Sequence, residues 1–146
     1  MKKDVMISIK GVQKSEGDRD EVELMTFGNF YKRNNNYYIT YEESEATGFQ
    51  GAKTTLKVEG DRRVTMIRSG SNRSQLIIEN GTRHQCYYDT GYGSWTVGVS
   101  GSSIVSQLTD QGGNLTLRYS LDINTALASE NELYIQVEEK RPDSAN

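Results

Sequence analysis

Proline, cysteine, histidine and tryptophan each occur once in this chain of 146 residues. The lone cysteine, Cys86, cannot close an internal disulfide, which excludes a disulfide scaffold and is compatible with a reducing compartment. The lone histidine, His84, excludes a metal site built on several imidazoles within one chain. Long apolar runs are missing too. Nothing approaches the roughly 20 residues of a membrane-spanning helix. No apolar stretch follows Lys2-Lys3, so no secretory signal is expected and the cytoplasm is the expected home. Nor is there a large excess of one charge: 17 Lys and Arg against 20 Asp and Glu leave a net charge of -3. That balance argues against nucleic acid as a partner, although Lys53, Lys57, Arg62, Arg63, Arg68, Arg73 and Arg83 tilt the central third basic among interleaved tyrosines.

What is present is alternation with a period of two. Val5, Ile7 and Ile9 alternate with Met6, Ser8 and Lys10, as on a strand with one buried face. A second strand is expected from about Glu21 to Tyr31, with a bend or bulge near Gly28. Tyr37 to Ser44 places Tyr37, Ile39, Tyr41 and Glu43 on one face; Thr54, Leu56 and Val58 share a face after the Gly48 to Gly51 loop. Val64 to Arg68, Leu76 to Ile78, Arg83 to Asp89 and Trp95 to Val99 follow, separated by turn residues of which Asn80-Gly81 is the strongest hairpin signal. Turns are also expected at Ser71-Asn72 and Thr90-Gly91. The clearest alternation sets Leu115, Leu117, Tyr119, Leu121 and Ile123 against Thr116, Arg118, Ser120 and Asp122, and Leu133, Ile135 and Val137 supply the last strand. Ser102 to Asp110 and Thr125 to Glu130 are the only stretches that read as helical turns, with Ile104 to Leu108 alternatively a short strand.

Eight to eleven short antiparallel strands in one domain imply an all-β barrel or sandwich. Successive hairpins favour a single antiparallel meander barrel, whose closure removes exposed edges. Residues 1–140 read as one domain and 141–146 as a polar C-terminal tail.

The chemistry is sparse. There is no phosphate-binding glycine loop, no paired-histidine helix motif, no nucleophile elbow and no calcium loop, so neither cofactor, metal nor catalytic residue is assigned. His84 and Cys86 share a strand face, the spacing of a thiol–imidazole pair, but no third residue orients them; a part-buried cysteine beside a polar histidine is the plainer reading. The Tyr37 strand is more informative. If Ile39 faces inward, Glu43 follows it, and a buried carboxylate requires a cation or hydrogen-bond donors. Lys53, Arg68, Arg118 and tyrosine hydroxyls are the candidates. The competing reading is a strand end with solvated glutamates. Nine tyrosines and one tryptophan either line a cavity or fill the barrel by cross-strand stacking. The candidate ligand-binding set is therefore Tyr37, Tyr41, Glu43, Lys53, Arg68, Trp95, Arg118 and Tyr119.

Tyr37-Tyr38-Ile39-Thr40-Tyr41-Glu42-Glu43-Ser44, followed by Thr47-Gly48, Gly51 and Lys53-Thr54-Thr55-Leu56-Lys57-Val58, resembles the YwiB-like proteins, small uncharacterised chains of low-GC Gram-positive bacteria. The similarity extends through Tyr92-Gly93, Gly112-Gly113, Leu117-Arg118-Tyr119 and Ser129-Glu130-Asn131-Glu132. The resemblance implies a calycin-like, lipocalin-resembling β-barrel and no activity. Three functional readings remain open. One is a barrel that binds a small, partly apolar molecule carrying an amine or hydroxyl near Tyr41 and Glu43. Another is a filled barrel acting as a protein-interaction or structural module, as a homodimer or with another protein. The third is an enzyme using Glu43 with a tyrosine or lysine.

Overall fold

The computed structural model describes residues 2–44, 50–71, 73–89 and 93–139. They form ten strands: β1 (Lys2–Ser15), β2 (Asp18–Arg33), β3 (Asn36–Glu42), β4 (Ala52–Glu59), β5 (Arg63–Gly70), β6 (Ser74–Glu79), β7 (Arg83–Asp89), β8 (Ser94–Thr109), β9 (Gly112–Ile123) and β10 (Ala126–Glu139). Each strand lies antiparallel to its neighbour in the chain, and β1 pairs with β10 to close the barrel. The alternation that marks each strand in sequence thus becomes an inside and an outside. The expected turns at Asn72 and Thr90-Gly91, and the tail 141–146, lie outside the described residues.

Four of the strands are much longer than their sequence pattern indicates. β1, β2, β8 and β10 run for 14, 16, 16 and 14 residues, because hydrogen bonding carries the ladder past the last apolar position. Both stretches that read as helical are strand. Ser102 to Thr109 belongs to β8, and Ala126 to Glu130 opens β10 after a turn in which Asn124 and Thr125 take positive φ. Each lies at a register shift, between Gly101 and Ser103 or between Leu127 and Ser129, where one extra residue breaks the alternation.

No bulge marks Gly28: the β1–β2 register is unbroken from Lys2 opposite Tyr31 to Ser15 opposite Asp18. Gly28 instead permits close approach. A Cβ there would stand 2.1 Å from the Thr40 carbonyl oxygen and 2.7 Å from Ile7 Cδ1. It is also where β2 begins to pair with β3, so the first half of β2 overhangs the shorter strand. The barrel consequently has a long wall, β1, β2, β8, β9 and β10, facing a short wall of β3 to β7.

The interior is layered. Val5, Ile7, Phe30, Ile39, Leu56, Val64, Ile78, Val99, Leu115 and Leu117 are fully buried and belong to one apolar cluster reached by all ten strands. At the end holding the 33–36 turn, Tyr37 stacks on Phe30 with ring centroids 5.1 Å apart and donates its hydroxyl to Asp110 at 2.7 Å. On the outer wall, Arg83 lies across Gly98 to grip both carboxylate oxygens of Asp122, at 2.9 and 2.7 Å, tying β7 to β9 over β8. Gly28→Ala must push apart the β2–β3 seam and is expected to cost about 3 kcal/mol. Urea unfolding will show this as a lower midpoint with an unchanged m value; an unshifted midpoint would show that the seam tolerates a methyl group.

Candidate functional site

Register brings together residues that are far apart in sequence. Reading across the short wall and on to β8, Tyr41 is opposite Thr54, Thr54 opposite Arg68, Arg68 opposite Ser74, Ser74 opposite Tyr88 and Tyr88 opposite Trp95. All six lie on the inward parity of their strands. The next inward level is apolar: Ile39, Leu56, Met66 and Leu76. A polar belt therefore sits directly above the apolar core, at the end of the barrel where β3, β5, β7 and β9 finish.

Glu43 continues the inward face of β3 and is buried in this belt. Its Oε2 accepts hydrogen bonds from Thr54 Oγ1 and from an Arg68 guanidinium nitrogen at 3.3 Å. The Glu43 and Arg68 side chains retain only 2% and 10% of their exposure, so this ion pair is shielded from water. Tyr119 approaches from the long wall, buried and within electrostatic reach of Arg68 and Tyr88. Burial pushes its phenol up to about 12. Burial, and then the negative charge of Glu43, push Tyr41 up as well. At neutral pH both rings thus present uncharged hydroxyls. Ser74 is buried, and among the described residues its Oγ has no hydrogen-bond partner.

Beside the belt, a pocket of about 360 Å³ is lined by Tyr88, Trp95, Val97, Leu121, Ile123 and Ser129, together with Gln13 and Ala128. Trp95 and Ile123 retain 50% and 37% of their exposure although they follow the inward parity of their strands. They form an apolar lip. Tyr88 joins the two layers, since it lines the pocket and stands in the belt.

Of the eight candidates read from sequence, Tyr41, Glu43, Arg68 and Tyr119 converge and Trp95 stands at the lip. The other three do not join them. Lys53 is exposed on the outer face opposite Glu42, because its neighbours Ala52 and Thr54 occupy the inward positions. Arg118 is likewise outside, opposite Glu132. Tyr37 faces inward at the opposite end of the barrel. Thr54, Ser74 and Tyr88 are belt members missing from the sequence-derived set. Their polar inward positions were legible, but only the strand register shows that they share a level with Arg68.

The other sites are quiet. His84 Nε2 lies 2.9 Å from Glu79 Oε1, while the Cys86 sulfur accepts the Ile77 N–H at 3.3 Å. Burial raises the Cys86 thiol, which keeps it protonated rather than nucleophilic. Among the described residues, no three His, Cys, Asp or Glu side chains gather in a metal-holding group, and no helix is long and apolar enough to cross a membrane.

The fold and site define a small antiparallel β-barrel with a polar belt beneath one mouth. Residues 7–135 match a domain of unknown function, DUF1934, and the chain belongs to that family. It is 28% identical over 120 residues to the uncharacterised β-barrel protein YwiB of Bacillus subtilis strain 168, covering 82% of each chain. The crystal structure of the ywiB protein from Bacillus subtilis superposes with a TM-score of 0.83 at 23% identity, over 96% of this chain and 94% of that one, which shows the shared fold.

Removing one partner of a buried ion pair leaves the other charge uncompensated. Arg68→Met is therefore expected to lose about 3 kcal/mol, and Glu43→Gln/Arg68→Met to lose less than Arg68→Met alone. Chemical unfolding of the two variants forms the test; an equal loss in the double variant would show that the pair does not hold the belt. Alkali provides a second test. Tyrosines ordinarily ionise near pH 10, whereas Tyr119 is held up to about 12. Its contribution to stability is complete below about pH 10 and is lost as pH rises through about 12. Tyrosinate absorbance should show a late fraction appearing together with loss of near-ultraviolet circular dichroism. Ionisation of all nine tyrosines near pH 10 with the fold intact would contradict the buried-belt assignment.

Proposed function

We propose that the barrel binds a small, partly apolar molecule at this mouth, its apolar body against Trp95, Val97, Leu121 and Ile123 and its polar group toward Tyr88 and the belt. The observation that carries this reading is the pairing of a half-exposed, inward-parity Trp95 with a buried polar row in the same register. The pocket volume falls within the roughly 300–1,000 Å³ of small-molecule sites, and mostly apolar walls with a few polar groups are the usual lining. The calycin-like, lipocalin-resembling character implied by the sequence resemblance belongs with this proposal, as does a cytoplasmic home suited to a lone protonated thiol.

The interaction-module reading rests on a separate observation. Met25 and Phe27 on the outer face of β2 retain 68% and 61% of their exposure. Lysine substitutions there should leave binding at the mouth unchanged and abolish any self-association seen by light scattering.

Trp95 is the only tryptophan, so its emission reports the mouth directly. Titration with N-phenyl-1-naphthylamine should quench it while probe emission rises. At about 0.3 kcal/mol per heavy atom, a Kd near 0.1 mM is expected. Trp95→Phe/Leu121→Asp should weaken binding at least about tenfold, read from probe emission. Unchanged Trp95 emission up to the solubility limit of the probe would overturn the proposal.

A further inference from the structure

Resting on the mouth-binding reading, we propose that the ligand presents an uncharged hydrogen-bonding head, an amide, carbonyl or hydroxyl, to Ser74 and the surrounding tyrosine hydroxyls, and that ammonium and carboxylate heads are rejected.

Three observations lead there. The first is charge: Glu43 and Arg68 already neutralise one another inside the barrel, with side-chain exposures of 2% and 10%. An ammonium would compete with Arg68 for the Glu43 carboxylate, and an anion would compete with Glu43 for the guanidinium. Either event leaves a net charge where burial makes an unmatched ion costly.

The second is the neutral hydroxyl chemistry around the pair. Tyr41 and Tyr119 are both buried, and their phenols stay protonated well above neutral pH. Together with Tyr88 they offer O–H groups that donate or accept without changing the charge inside.

The third is Ser74. Its residue exposure is 6%, it faces inward on the same parity as Leu76 and Ile78, and among the described residues its Oγ has no hydrogen-bond partner. Buried polar groups are ordinarily satisfied, because an unmade hydrogen bond carries the cost of desolvating the group. Ser74 stands directly opposite Tyr88 in the register, and Tyr88 lines the pocket. The hydroxyl is therefore one strand from the pocket wall, and in the proposal it donates to a carbonyl or hydroxyl oxygen lowered between Trp95 and Leu121.

Three probes sharing one bicyclic body separate the possibilities at pH 7: 1-naphthaleneacetamide, 1-naphthaleneacetate and 1-naphthylmethylamine. Isothermal titration calorimetry is expected to show the acetamide binding at least about tenfold tighter than either charged probe. Ser74→Ala should weaken acetamide binding about three- to tenfold while raising Tm by about 2–4 °C, since it removes an unpartnered hydroxyl from a folded site. Equal or tighter binding of the acetate or the amine overturns the inference. So does an acetamide affinity unchanged in a folded Ser74→Ala protein. The two readings fail separately. If N-phenyl-1-naphthylamine quenches Trp95 but the three probes show no preference for the neutral head, this inference falls and the mouth site stands. If none of the four binds, the mouth site falls and takes this inference with it.

Discussion

A carboxylate inside a β-barrel costs several kcal/mol unless a cation or hydrogen-bond donors meet it, and at Glu43 both do. Thr54 and Arg68 reach the same carboxylate oxygen from β4 and β5. The pair thereby ties three consecutive strands together at the level where the apolar core ends. Everything above that level depends on it: the inward direction of Arg68 and the separation between a dry interior and a pocket open to solvent. An apolar replacement of similar volume would serve stability equally well.

The two ends of the barrel are built differently, and that difference locates the site. At the end of the 33–36 turn, Tyr37 covers Phe30 and is anchored to Asp110, and Lys3 reaches across to both Glu139 and the Asp110 carbonyl. Aromatic stacking and side-chain bridges between strands close that end. At the other end the long wall overhangs the short one, because β2 begins to pair with β3 only at Gly28. Gln13, Leu121, Ile123 and Ser129 of β1, β9 and β10 form one side of the pocket, while Tyr88 and Trp95 form the other. The mouth is a consequence of unequal strand lengths rather than of any one specialised loop among the described residues.

How much of this was legible in the sequence follows from what a period of two can and cannot encode. It places residues on faces, so the inward path of Ile39, Tyr41 and Glu43 could be read directly. The same rule already opposed two of the candidates. Arg118 alternates with Leu117 and Tyr119, and Lys53 with Ala52 and Thr54, so both belong outside. They entered the set through charge alone. Parity is silent on level, however. That Ser74 and Tyr88 share a row with Arg68 depends on the β5–β6 and β6–β7 registers, which the parity of single residues does not encode. The two stretches misread as helical fail for one reason: a bulge inserts a residue, and alternation switches phase at the very place where it is being used as evidence.

The seam between β6 and β7 shows how the barrel accommodates a local break without losing its interior. The registered pairs there are Ser74 with Tyr88 and Gln75 with Tyr87. One step further along, the Ile77 N–H turns to the Cys86 sulfur, and Asn80 bridges past β7 to Gly101 on β8. A thiol is a weak acceptor, so this substitution serves where the ladder opens but the backbone must not be left bare. The two regular pairs that survive on the mouth side are the ones that keep Ser74 and Tyr88 beside one another. The break is thus displaced away from the belt, into the part of the wall backed by Leu76, Ile78 and Val97, where apolar packing holds the strands without help from the ladder.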